Sequence, residues 1–269
     1  MASEEFLKVG DINISYISEG SGDVILFIHG LSGCKEEWEY TIPYFADNYK
    51  AIAIDLPGSG HSDKPLVEYT IDFYSDSVKG FLDEMEIEKA IIVGNSMGGL
   101  VSQSLTLKYP EKVDKLILVD SAGINPMRGR AQTSLSLNTD AISKQKGFSP
   151  AMIKMTKKML FYKPCDALDT IIERAISDLK RDDHPEAFRA ILSSMENIVK
   201  ADLSERLGEI NQPTLIVWGE NDKLMGPKVA EILEGKIRGS EVVIISECGH
   251  CPMLEKPDEF NSSVFSFLS

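Results

Sequence analysis

At 269 residues the chain is long enough to bury one large core, and 43% apolar with 26% charged residues is the balance of a globular domain. A formal net charge of −14 excludes the clustered basic surface that nucleic acid or an anionic membrane requires. The apolar runs are only a few residues long, so no membrane insertion is expected.

In chain order, Met1-Ala2-Ser3-Glu4-Glu5 has neither a basic patch nor an apolar run behind it, and a cytoplasmic protein is the expectation. Apolar runs then predict strands at 12–18 and 24–28, which fit an antiparallel hairpin, followed by strands at 51–54, 90–93, 115–119, 214–217 and 242–245. Amphipathic segments between them predict helices at 38–47, 71–85, 98–109, 227–237 and 257–268, with Pro227 and Pro257 suited to a first helical turn. Strands separated by helices imply right-handed crossovers and a mostly parallel sheet flanked by helices, the α/β class. The alternation stops between Gly123 and Gln212. Three helical patterns occupy that stretch: one from Pro150 to Phe161, one from Asp166 with Leu168, Ile171, Ile172, Ala175 and Leu179 on one face, and one following His184-Pro185. The expected organisation is a core of residues 1–122 and 213–269 with a helical insertion at 123–212.

Gly94-Asn95-Ser96-Met97-Gly98-Gly99 joins the run Ala90-Ile91-Ile92-Val93 to the apolar segment that starts at Leu100. A G-x-S-x-G run between strand and helix holds its serine on a sharp turn, above the sheet and at a helix N-terminus, where it can act as a nucleophile. A serine hydroxyl needs a base, and the base needs an orienting acid. His250 follows the run Val242-Val243-Ile244-Ile245 and lies at the carboxyl end of a strand, where open α/β sheets carry their functional groups. His29, His61 and His184 read as loop or helix-start residues. Asp120 ends the strand Leu116-Ile117-Leu118-Val119, and Asp222 follows Leu215-Ile216-Val217-Trp218 through the turn Gly219-Glu220-Asn221. Asp222 gives the chain order Ser, Asp, His that this nucleophile turn uses, and Asp120 then orders the loop that leaves its strand.

With His29-Gly30, Asp55-Leu56-Pro57-Gly58, Gly60-His61-Ser62, Gly94 to Gly99, Trp218-Gly219-Glu220-Asn221-Asp222 and Gly249-His250 in this order, the chain resembles the α/β-hydrolase superfamily over nearly its whole length. The resemblance implies the α/β-hydrolase fold with 123–212 as a lid over the active site. It also implies an oxyanion hole made by the backbone N–H groups of Leu31 and Met97, whose side chains are then free to vary. His29 and the methionines Met127, Met155, Met159 and Met195 are candidate substrate-pocket residues, since thioethers adapt to varied apolar shapes. The competing reading is that the methionines pack the insertion onto the core.

Cys248-Gly249-His250-Cys251 has dithiol spacing, but it follows a strand near residue 250 with Pro252 next, instead of opening a helix in a redox unit. Oxidation of the pair would distort the loop that carries His250. No second ligand pair has zinc spacing, so neither a metal nor a cofactor is expected.

The expected chemistry is acyl transfer through Ser96, with activity rising with pH as the His250 imidazole loses its proton. A small-to-medium carboxylic ester is the first substrate expected. Gly-Asn-Ser-Met-Gly-Gly is also typical, within the superfamily, of carbon–carbon bond hydrolases that act on ring-cleavage diketones. Those enzymes carry a longer glycine- and proline-rich loop where this chain has Leu31-Ser32-Gly33-Cys34. A non-catalytic ligand receptor on the same fold is the rival from outside enzymology, and turnover separates it from the other two.

Overall fold

The structure, a computed structural model, describes residues 3–124, 149–178 and 180–269. An eight-stranded sheet runs through the middle, in the order β1-β2-β4-β3-β5-β6-β7-β8. Its strands are β1 Glu4–Val9, β2 Ile12–Glu19, β3 Val24–Ile28, β4 Lys50–Ile54, β5 Ala90–Asn95, β6 Val113–Val119, β7 Thr214–Gly219 and β8 Glu241–Ile245. β2 runs antiparallel to both β1 and β4, and every pairing from β4 to β8 is parallel.

The hairpin predicted between 12–18 and 24–28 does not form. The hairpin joins β1 to β2 through Gly10-Asp11, with Gly10 in the left-handed region as tight hairpin turns prefer. β2 then pairs with β4, leaving β3 between β4 and β5. β1 escapes the sequence pattern because it is a solvent-facing edge: Glu4, Glu5 and Lys8 interrupt its apolar positions.

The helices are α1 Ile42–Phe45, α2 Ile71–Glu84, α3 Met97–Lys108, α4 Pro150–Leu160, α5 Asp166–Asp178, α6 His184–Lys200, α7 Lys228–Lys236, α8 Pro252–Glu255 and α9 Pro257–Leu268. Thr70 caps α2 by accepting from the Phe73 amide, and Ser149 caps α4 by accepting from Met152. Pro257 opens α9, whereas Pro227 stands one residue before α7, at its N-cap. The predicted helix at 38–47 is shorter and broken: a 3-10 turn at Lys35–Trp38 precedes α1.

Strand alternation sends side chains to two cores. Leu26, Ile28, Ile92, Leu118 and Trp218 face one with α2, α3 and α7, while Ile25, Phe27, Val93, Val119 and Val217 face the other with Trp38, Phe45 and α9. The central strands are buried on both faces and therefore read as continuous apolar runs. From the stretch after β6, α5 buries Leu168, Ile171 and Ile172 in the second core. α6 leans on α2, where the Tyr74 and Ser194 hydroxyls lie 2.6 Å apart and Ser193 Oγ accepts the Tyr69 amide at 2.9 Å. Among the described residues no helix is long and apolar enough to cross a membrane.

Candidate active site

Ser96 stands between β5 and α3 with φ 54° and ψ −115°, a conformation that costs about 1–3 kcal/mol for a non-glycine residue. Close packing enforces it. A Cβ on Gly94 would meet the Gly98 carbonyl oxygen at 2.3 Å, and one on Gly98 would meet the Ile28 carbonyl oxygen at 2.3 Å. The Ser96 backbone is tied to its neighbours: its N–H donates to Val119 O at 2.9 Å, and its carbonyl accepts from Ala122 at 3.0 Å and from Gly99 at 3.1 Å. The Met97 N–H is the first amide of α3, which no intrahelical carbonyl can accept, and it lies at the positive end of the helix dipole. A Cβ on Gly30 would come within 3.3 Å of Ser96 Cβ, so the loop that leads into Leu31 passes directly beside the serine.

Of the predicted base and acid, His250 and Asp222 come together: Nδ1 lies 2.9 Å from Asp222 Oδ2, with both side chains almost fully buried. Asp222 Oδ1 accepts the amides of Leu224 at 2.8 Å and Met225 at 3.2 Å. Burial pulls this carboxyl upward, but the His250 hydrogen bond and the two amides hold it below the ordinary aspartate value. His250 Nε2 is buried and has no partner among the described residues, so Ser96 Oγ does not hydrogen-bond to it in this conformation. Serine–histidine contacts of this kind often close only when substrate is bound.

The His250 backbone is fixed from three directions. Its N–H donates to Leu160 O at 2.7 Å, and its carbonyl accepts from Asn95 Nδ2 at 3.1 Å. On either side, Glu255 Oε1 accepts the amides of Gly249 at 2.9 Å and Cys251 at 3.3 Å, while Glu255 Oε2 takes the Tyr162 amide at 2.7 Å. Sequence reasoning misses Asn95 and Glu255. Their signal is only position: Asn95 is the variable residue before the serine, and Glu255 lies five residues after the histidine.

The other predicted residues fall elsewhere. His29 is fully buried and spends both ring nitrogens on backbone, Nδ1 on Gly30 O at 2.7 Å and Nε2 on the Leu56 N–H at 3.0 Å, so it shapes the loop and does not line a pocket. Met155 and Met159 are 62% and 57% exposed on the outer face of α4, and Met195 is half-buried on α6. Met127 lies outside the described residues. Met155, Met159 and Met195 do not line the cavity of about 160 Å³ that adjoins the loop after β3. Its walls come from Ser32-Gly33-Cys34, from Gly58-Ser59-Gly60, and from Ile153, Thr156 and Lys157 on the inner face of α4. α5 and α6 supply Arg174, Asp178, His184 and Ile191, and Arg181 and Asp183 come from the turn between them. Ser96 and His250 are not in this lining, which begins one residue beyond Leu31. Arg181 and Lys64 are neutralised by Asp183, whereas Arg174 Nη2 is 3.7 Å from Glu39 and Arg174 Nη1 is buried with no hydrogen-bond partner among the described residues.

Asp120, Asp222 and His250 have ligand atoms within 4.8 Å of one another. A cation there would have to compete for Nδ1 and both Asp222 oxygens, which are already engaged with each other and with amides. All four cysteines are free. Burial drives the Cys248 and Cys251 thiols far above the ordinary range, which disfavours the thiolate that dithiol exchange requires.

Residues 23–257 match the family of the alpha/beta hydrolase fold. The chain belongs to the α/β-hydrolase family. This hydrolase is 31% identical, over all of its own length and 96% of the relative's, to the 2-hydroxy-6-oxononadienedioate/2-hydroxy-6-oxononatrienedioate hydrolase of Escherichia coli K12. Among solved structures, it is similar to a serine hydrolase involved in carbazole degradation, with TM-score 0.84, 28% identity, and 100% and 99% of the two chains covered. An esterase from Exiguobacterium antarcticum shares the fold with TM-score 0.88 at 22% identity, covering 99% of each chain.

Proposed function

We propose that this chain is a serine hydrolase in which Ser96 is the nucleophile, His250 the general base and acid, and Asp222 the orienting carboxylate. The Met97 and Leu31 N–H groups form the oxyanion hole in this reading. The observation that carries it is the buried His250–Asp222 pair, held by Asn95 next to a serine on a strained strand-to-helix turn. The segment 123–212 serves as the lid, and 1–122 with 213–269 as the core.

The substrate is a small molecule bearing a carboxylate, and the bond cleaved is carbon–carbon in a ring-cleavage-type diketone. Two observations favour this over the neutral ester that the motifs alone suggest. The curated relative is named for dioate substrates, and the cationic Arg174 lines the cavity beyond Leu31. In the reaction, Ser96 Oγ gives its proton to His250 and attacks the ketone carbonyl, and the amides take up the oxyanion. The carbon–carbon bond breaks with its electron pair leaving on the enol side, which receives the proton from His250. Water, deprotonated by His250, then releases the acid from Ser96. The short run Leu31-Ser32-Gly33-Cys34 favours ester cleavage as the second reading.

The test is turnover of a 2-hydroxy-6-oxo-dienedioate, followed by loss of its chromophore, beside p-nitrophenyl acetate, butyrate and octanoate, for wild type and Ser96→Ala. Dienedioate turnover abolished by Ser96→Ala supports the carbon–carbon reading. Saturable ester turnover alone puts the ester first, and no turnover of either class moves the fold to ligand sensing.

A further inference from the structure

Asp120 and Asp222 leave the adjacent parallel strands β6 and β7, and their carboxyl groups meet beside His250. Asp120 is fully buried and takes a left-handed φ of 42°, which a non-glycine residue adopts only when its surroundings impose it. Its Oδ1 accepts the Gly219 N–H at 3.0 Å, while its Oδ2 is buried and meets no donor among the described residues. Two buried carboxyl groups in contact do not both remain ionised. The lone pairs decide which keeps the charge: Asp222 receives three donors, His250 and two amides, and Asp120 receives one.

We propose that Asp120 is a neutral carboxylic acid at working pH and donates its Oδ2 proton to Asp222, making Asp120 a positioning residue for the acid that orients His250. The role rests on the Ser96–His250–Asp222 reading above. A buried hydroxyl donor satisfies the otherwise orphaned oxygen and fixes the plane of the Asp222 carboxylate. It also draws charge from Asp222, so that Asp222 stabilises the imidazolium less than an unassisted carboxylate would. Burial and the Asp222 charge both push the Asp120 carboxyl well above the ordinary range. The titratable groups facing it are Asp222, His250, Glu255, Cys248 and Cys251.

Asparagine mimics the neutral acid: its amide N–H can donate to Asp222 and its oxygen can still accept from Gly219. The experiment compares wild type, Asp120→Asn, Asp120→Ala and Ser96→Ala by infrared difference spectroscopy and by NMR titration of labelled histidine. With only four histidines, His250 is assignable by its own substitution. A protonated-carboxyl stretch should be present at neutral pH in wild type and Ser96→Ala and lost in Asp120→Asn. The His250 midpoint should be unmoved in Asp120→Asn and raised in Asp120→Ala. The turnover number should fall roughly tenfold in Asp120→Ala, the loss of one buried hydrogen bond, and be largely rescued in Asp120→Asn. A carboxyl band that survives Asp120→Asn overturns the proposal. So does a His250 midpoint that drops in that variant, as removal of a negative charge requires. Both spectroscopic signals are independent of turnover, so they are read even if Ser96→Ala leaves activity intact and the triad reading fails.

Discussion

The side-chain amide of Asn95 donates to the backbone carbonyl of His250 across 155 positions of sequence, at 3.1 Å. The residue immediately before the serine thus holds the loop of the histidine, and its second N–H, bonded to Val119 O at 3.2 Å, ties both to β6. Asn95→Ala takes the side-chain donor from the buried His250 carbonyl, at about 1–3 kcal/mol of stability, while Val119 O keeps the Ser96 N–H. The expected result is a lower denaturant midpoint together with a turnover number reduced roughly tenfold, while KM changes little. Parallel denaturation and steady-state assays check both.

Asp222→Asn keeps the shape of the site but presents an N–H to His250 Nδ1, which forces the wrong tautomer. A fall of roughly 10⁴ in the turnover number is expected at unchanged fold, the scale of the same substitution in serine proteases. A fall of less than tenfold would assign the orienting role elsewhere.

Arg174→Gln removes a cation from the cavity wall. For a dienedioate, KM should rise by roughly 10- to 100-fold, the loss of a charge-assisted hydrogen bond. For a neutral p-nitrophenyl ester it should stay where it is. Equal effects on both substrates would show that the guanidinium supports the wall and does not read a carboxylate.

Glu4 joins β1 to the loop after β3, accepting from Lys35 Nζ at 2.7 Å and Ser15 Oγ at 2.8 Å, with His61 Nδ1 at 2.6 Å. Partial burial pulls its carboxyl upward, yet the hydrogen bonds from Lys35, His61 and Ser15 win and hold it at about 2, against 4.5 when free. A lowered carboxylate contributes stability that is complete above the unfolded value and is lost as pH falls through the folded one. Glu4→Gln should therefore lower Tm at neutral pH, and the gap to wild type should close between pH 4.5 and about 2. Thermal melts across that range test it, and a gap that is constant with pH would remove the ionic contribution.

The parallel sheet was legible because central strands buried on both faces leave unbroken runs such as Ala90-Ile91-Ile92-Val93. The proximity of Asp222 to His250 followed from chain order. Periodicity failed where direction mattered: it shows that α4 has two faces but not which one turns inward, and the structure turns Ile153, Thr156 and Lys157 to the cavity and Met155 and Met159 to solvent. Glu255 was invisible for a different reason. It acts by collecting the amides of Gly249, Cys251 and Tyr162, and backbone donors leave no mark on residue type.

The contact between Leu160 O and the His250 N–H bears on how the protein regains function after denaturation. It makes the histidine loop depend on the docking of α4, as Asn95 makes it depend on β5, although these segments lie far apart along the chain. Contacts of such long sequence separation incur their loop-closure entropy late in folding. Recovery of turnover during refolding therefore follows closure of the whole chain. It should lag behind far-ultraviolet signals from the helices, which need only local order.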